Sequence, residues 1–268
     1  MNFDNETKIS DFHGFTCHEF QLSGREARVA EPKTALPGRP WIWRTMFWDA
    51  FPSADIALLE RGFHVGYVDP GDTYANAEAL ALYDALYDLL TTRYGFSKKP
   101  ALEGLSRGGF CAYRWTYFNT DKVGCIYGDA PLCDINALSR HGEAWRNIMN
   151  AYGASDDAQM KTLEGNPIDS LPMLAAAHIP IIHVCGDEDT AAVNADNNDI
   201  VQARYPALGG EFTLIMKQGC PHHPHGLKDP TLVADFIVAH CAEGAALVAA
   251  MERAPKSGAV ISIPAGEW

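Results

Sequence analysis

Apolar positions along the chain switch period in a regular rhythm. "TCHEFQL" and "EARVAEP" alternate apolar and polar residues, the period of a strand, and Ser23-Gly24 between them predicts a hairpin. "RPWIWRTMFW" follows a Pro-Gly turn as an apolar, aromatic run and predicts a buried strand running into a loop. "SADIALLERG" predicts a short helix capped by Ser53 and stopped at Gly62. "FHVGYVDPGD" predicts a strand ending in a turn. "NAEALALYDALYDLLTTRYG" has apolar residues at helical spacing, with a start at Asn76 and a stop at Gly95. A strand "KPALEGLS", a helix "RGGFCAYRWTYFNT" and a strand "VGCIYGDAP" follow.

Residues 133–178 interrupt this rhythm with segments of helical character, "EAWRNIMNAYG", "DDAQMKTLEG" and "SLPMLAAAH". It then resumes: strand "IPIIHVCGDED", helix "NADNNDIVQARYPALG", strand "EFTLIMKQG", helix "DPTLVADFIVAHC". Strands alternating with helices imply parallel βαβ units, so the expected fold class is α/β with an open, doubly wound, mostly parallel sheet. Ligand sites in such sheets lie at the carboxyl ends of strands. The final "KSGAVISIPAGEW" holds a short apolar stretch that reads equally as a docked strand or a loose tail.

Composition narrows the picture. The 268 residues, 47% hydrophobic and 21% charged, suit a single large domain over 1–268. A net charge of -13, with no basic patch interleaved with aromatics, argues against a nucleic-acid partner. No apolar run approaches the roughly 18 residues of a membrane span, so no membrane partner is expected. The polar start "MNFDNETKIS" has no signal core. A cytoplasmic location is expected, with a secreted or periplasmic one left open should a signal peptide have been removed. Seven cysteines, odd in number and irregular in spacing, predict buried thiols rather than a disulfide framework.

The candidate chemistry centres on Gly104-Leu105-Ser106-Arg107-Gly108, a G-x-S-x-G pattern between a predicted strand and a predicted helix. Glycines there permit a sharp turn that lifts a serine hydroxyl above the sheet. The same turn points the Arg107 backbone N–H, at the new helix's start, toward a developing oxyanion. A serine hydroxyl is a weak nucleophile and needs a neighbouring base, which in turn needs an orienting carboxylate.

The chain resembles the α/β-hydrolases, in their serine-esterase and prolyl-oligopeptidase-like branch. The resemblance spans roughly residues 15–245 and rests on "EGLSRGG", "HVCGDEDT" and "QGCPHHPHGL" in the order nucleophile, acid, histidine. "PWIWR", "ALEGLSRGG" and "HHPH" are also similar to segments of bacterial hydrolases met in carbohydrate-degrading contexts. It implies Ser106 as nucleophile and an acid after "IPIIHVCG". The G-x-x-D pattern of the superfamily falls on Asp189, with Asp187 second and Asp129 and Asp134 further alternatives. The base is expected in the loop 219–226. The usual spacing lands on His222, but a proline replaces the second glycine, so His223 stays open. His225 is expected to shape the pocket.

The resemblance also implies a second oxyanion donor from "RPWIWRTMFW", taken as a backbone N–H near Trp43 or Arg44. Trp41 and Asp72 are candidate pocket residues, and so is Trp145 if the helical segment 133–178 forms a lid. The implied activity is hydrolysis of carboxylic esters, plausibly of carbohydrates, through an acyl-enzyme. A small-molecule substrate and no cofactor are expected. A functional metal at the histidines is not, since such sites commonly recruit carboxylates or cysteines as well. A peptidase on the same triad, a non-catalytic binding protein and a metal-binding module are the alternatives.

Overall fold

The computed structural model describes residues 1 and 3–268. Ten strands form one sheet: β1 (Glu6–Phe12), β2 (Phe15–Leu22), β3 (Arg25–Glu31), β4 (Trp41–Arg44), β5 (His64–Val68), β6 (Ala101–Leu105), β7 (Cys125–Asp129), β8 (Ile181–Gly186), β9 (Phe212–Lys217) and β10 (Val260–Ile263). Their spatial order is β1-β2-β3-β5-β4-β6-β7-β8-β9-β10. The first three strands and β5 pair antiparallel, and every pair from β5-β4 onward is parallel. Every residue of β4 to β9 is buried except Met216, as parallel strands covered on both faces must be.

The nine helices described are α1 (Ser53–Glu60), α2 (Ala77–Asp88), α3 (Arg107–Phe118), α4 (Glu143–Tyr152), α5 (Asp157–Lys161), α6 (Pro167–Ala176), α7 (Asn198–Ala207), α8 (Thr231–Cys241) and α9 (Ala245–Met251). One face of the sheet packs on α2, α3, α6 and α7, where Tyr83, Trp115, Leu174 and Val201 are buried. The other packs on α1 and α8 through Leu58, Leu59, Phe236 and Ile237. Strand order reverses at β4, which lies between β5 and β6. A crevice therefore opens at the carboxyl ends of β4 and β6.

Most expected elements form. Asn76 caps α2, its side chain accepting from the Ala79 N–H at 3.2 Å. Ser23 and Gly24 turn the β2–β3 hairpin with φ of 50° and 79°, the left-handed values that a tight two-residue turn needs. Two differences stand out, and one open question is resolved. The polar start carries β1, an edge strand with little to bury and so no apolar signature. Ser53 is the first residue of α1, while Pro52 takes the cap position. The C-terminal apolar stretch is docked, as β10 beside β9. The segment 133–178 is helical, holding α4, α5 and α6. All seven cysteines are buried free thiols.

Beneath the crevice lies a buried ionic cluster. The Arg44 guanidinium contacts the Asp55 carboxylate and lies 3.0 Å from Glu103 Oε1, and all three are essentially inaccessible. Burial pushes the Glu103 carboxyl well above the usual carboxylate range, against the pull of Arg44. Arg44 also donates to Phe47 O at 3.0 Å and Ala50 O at 2.9 Å, anchoring the loop after β4 from below.

Removing Asp55 would take from the buried Arg44 guanidinium one of its two carboxyl partners. The variant Asp55→Ala should lose roughly 3–5 kcal/mol of unfolding free energy, seen as a lower urea midpoint. An unchanged midpoint would show that the cluster contributes no net stability.

Candidate active site

Ser106 sits where β6 breaks into α3, with φ 51° and ψ -117°. A side chain on Gly104 would place its Cβ 2.4 Å from the Gly108 carbonyl, and one on Gly109 would strike Pro131 at 2.4 Å. The glycines are thus required by the closeness of strand, turn and helix. The turn is pinned from both sides. The Ser106 N–H donates to Asp129 O at 2.9 Å, and Ser106 O accepts from the Gly109 and Leu132 N–H groups at 2.9 Å each.

The Ser106 Oγ lies 3.0 Å from His222 Nε2. His222 Nδ1 lies 2.7 Å from Asp189 Oδ2. The other Asp189 oxygen accepts from the Ala191 and Ala192 N–H groups at 2.8 and 2.9 Å. Burial alone would raise the Asp189 carboxyl, but the His222 hydrogen bond and those two amides hold it below its ordinary value. It is therefore an anion, placed to favour the His222 tautomer whose Nε2 can accept the serine proton.

The neighbouring candidates fall elsewhere. Asp187 turns away from the histidines and accepts from the Gly219 N–H at 2.7 Å, joining the ends of β8 and β9. Asp134 caps the turn after it through the Asn136 N–H. His223 is exposed and stacks on Phe51, with 5.8 Å between ring centroids. His225 is buried. Its Nδ1 lies 2.6 Å from Asp129 Oδ1, while the other Asp129 oxygen accepts from the Gly226 N–H at 2.8 Å and the Tyr127 hydroxyl at 2.7 Å.

Two expectations for the oxyanion donors separate. Arg107 opens α3, and its N–H has no backbone acceptor among the described residues. Trp43 and Arg44 are not donors. Both lie inside the ladder that joins β4 to β5 and β6, and the Thr45 N–H is also taken, by Glu103 O at 3.0 Å. The first amide beyond the ladder is Met46. A Cβ built on Gly108 would lie 3.6 Å from the Met46 nitrogen, so that amide faces the start of α3. Thr45 fixes the approach, its Oγ1 lying 2.8 Å from Gly108 O. With the amides of β4 and Thr45 engaged in the sheet, the candidate second donor moves from Trp43–Arg44 to Met46.

The tryptophans also move out of the pocket. Trp41 lies at the far end of β4, fully buried, with its indole N–H donating to Ser97 O at 2.9 Å. Trp43 packs against Trp115, with 4.7 Å between ring centroids. Trp145 is buried within the helical segment and donates to Asp157 Oδ1 at 2.8 Å. The cleft beside Met46 and Arg107, about 250 Å³, is lined instead by Phe47, Tyr67, Asp69 and Asp72. Of the expected pocket residues, Asp72 is there, paired with Arg107 at 3.0 Å. His225 lines a different hollow, with Phe51 and Trp268.

Lys217 is a further participant that no motif signals. It is buried, and its Nζ donates to Pro224 O at 2.6 Å and lies 3.3 Å from Gly226 O, holding the histidine loop from beneath. Its only trace in the sequence is a cation at the end of an apolar strand.

Comparison of the sequence with protein-family models and with curated proteins gives no match. Solved structures do match the fold. An S-formylglutathione hydrolase from Agrobacterium tumefaciens superposes with a TM-score of 0.62 at 12% identity, over 94% of this chain and 100% of that one. Est1E from Butyrivibrio proteoclasticus superposes at 0.55 and 16%, over 81% and 90%. This is the α/β-hydrolase fold. A puromycin hydrolase superposes at 0.60 and 14%, over 78% of this chain. The chain spans only 36% of that protein's length.

The geometry ranks the histidines. Labelling of Ser106 by a fluorophosphonate should slow on the order of 10²–10⁴-fold in His222→Ala. In His223→Ala it should slow far less, as followed by gel fluorescence over time. The reverse ranking would reassign the base.

Proposed function

We propose that the protein is a serine hydrolase that cleaves carboxylic esters through an acyl-enzyme. The observation that carries this reading is the relay from Ser106 Oγ to His222 Nε2 at 3.0 Å and from His222 Nδ1 to Asp189 at 2.7 Å, set at the α/β-hydrolase turn. In this reading His222 takes the Ser106 proton as the oxygen attacks the ester carbonyl. The negative charge that develops on the carbonyl oxygen meets the Arg107 and Met46 N–H groups. His222 then returns the proton to the leaving alcohol, and water repeats the sequence on the acyl-enzyme.

The alcohol or acyl group would enter the cleft between Met46 and Arg107. Its walls combine the face of Phe47 with the carboxylates of Asp69 and Asp72 and the Arg107 guanidinium. Hydroxyl-rich groups suit that lining, because carboxylates accept hydroxyl hydrogen bonds while an aromatic face covers the apolar side of a sugar ring. A carbohydrate ester is therefore the substrate class proposed. A peptidase on the same relay is the second reading, with the peptidases among the fold's solved relatives in its favour.

Purified protein should label with a fluorophosphonate probe, and Ser106→Ala should not. Absence of labelling in the parent would refute the hydrolase reading. Given labelling, acetyl, methyl and feruloyl esters of sugars should be hydrolysed faster than aminoacyl amides. Faster cleavage of the amides would favour the peptidase.

A further inference from the structure

The relay uses only one of three adjoining imidazoles. The rings of His222, His223 and His225 stand with centroids 4.9, 4.9 and 4.7 Å apart, each nearly perpendicular to the others. One nitrogen from each lies within 4.8 Å of the other two. His222 and His225 share a further property. Each gives its Nδ1 to a carboxylate, Asp189 at 2.7 Å and Asp129 at 2.6 Å, so a metal would take the Nε2 of each, at His222 in competition with the Ser106 hydroxyl 3.0 Å away. That is the arrangement of metal-binding histidines: the carboxylate behind the ring fixes its orientation and raises the basicity of the outer nitrogen. The carboxylates missing from the motif as ligands are present as the groups that orient the ligands.

We propose that His222, His223 and His225 form an inhibitory site for a divalent transition metal, with zinc the best fit. Imidazole nitrogens suit zinc, whereas magnesium and calcium require oxygen donors. Zinc holds nitrogens at about 2.0–2.1 Å in a tetrahedron, which sets three of them roughly 3.4 Å apart. Starting from 4.8 Å, the closure needed is about 1.4 Å, within reach of side-chain rotation at the exposed His223. The fourth position remains open to water. A His222 Nε2 whose lone pair is shared with zinc cannot take the Ser106 proton, so the bound ion silences the nucleophile without blocking the cleft. The inhibition, though not the binding, rests on the hydrolase reading above.

The test uses the whole chain, stripped of metal with EDTA and dialysed. Calorimetric titration with zinc chloride should show one ion bound per chain, and magnesium chloride none. His223→Ala should weaken zinc binding roughly tenfold or more. In parallel, saturating zinc should slow fluorophosphonate labelling of the parent at least about tenfold, with recovery in EDTA, while His223→Ala, compared with its own rate in EDTA, should respond far less. No stoichiometric zinc binding by the folded parent, or binding unaffected in His223→Ala, overturns the site. Binding without slower labelling overturns its inhibitory role. A parent that binds zinc through His223 yet never labels, even in EDTA, retains the metal site but removes both the inhibition and the hydrolase reading.

Discussion

Asp129 holds the two halves of the candidate site to each other. Its backbone carbonyl accepts the Ser106 N–H, and its carboxylate accepts the Gly226 N–H while facing His225. The serine turn and the histidine loop lie about 120 residues apart in sequence, yet both take their position from one residue at the end of β7. The carboxylate is fully buried. Burial alone would raise its pKa, but His225, Lys217 and the Tyr127 hydroxyl hold it low. Such a buried anion is tolerable only while those partners stay in place. The relay distances are therefore set by a polar network beneath them, not by the three reacting groups alone.

A similar logic operates under the other wall. Arg44, whose backbone N–H the resemblance offered as an oxyanion donor, instead buries its side chain between Asp55 and Glu103 and reaches up to two carbonyls of the next loop. That loop carries the Met46 amide and the Phe47 face. Two buried cations, Arg44 and Lys217, thus hold the loops on opposite sides of Ser106, each by donating to backbone oxygens of its loop.

Which parts of this were legible in the sequence follows from what kind of information each needs. The Ser106 turn was, because glycines at close backbone approaches leave a local signature. Asp189 and His222 were singled out by the resemblance, with Asp187 and His223 left open beside them until the fold placed them elsewhere. The candidate donor Met46 was not: which amide is free depends on where β4 leaves the ladder, a question of register. Trp41 and Trp145 were misplaced because residue type does not reveal which way a side chain points; both face packed interiors. Asp129 and Lys217 escaped because a buried charge is defined by partners distant in sequence. The strand β1 escaped because an edge strand has few apolar residues to show.

The burial of all seven thiols has a practical consequence. A thiol reagent meets no accessible cysteine in the closed molecule, so any reaction measures transient opening. The cysteines sit at six places in the fold: Cys17 on β2, Cys111 on α3, Cys133 after β7, Cys185 on β8, Cys220 in the histidine loop, and Cys125 of β7 with Cys241 at the end of α8, their sulfurs 3.6 Å apart. Mapping which of them becomes modified first would give a residue-level record of where the protein breathes, read from its native sequence without an introduced probe.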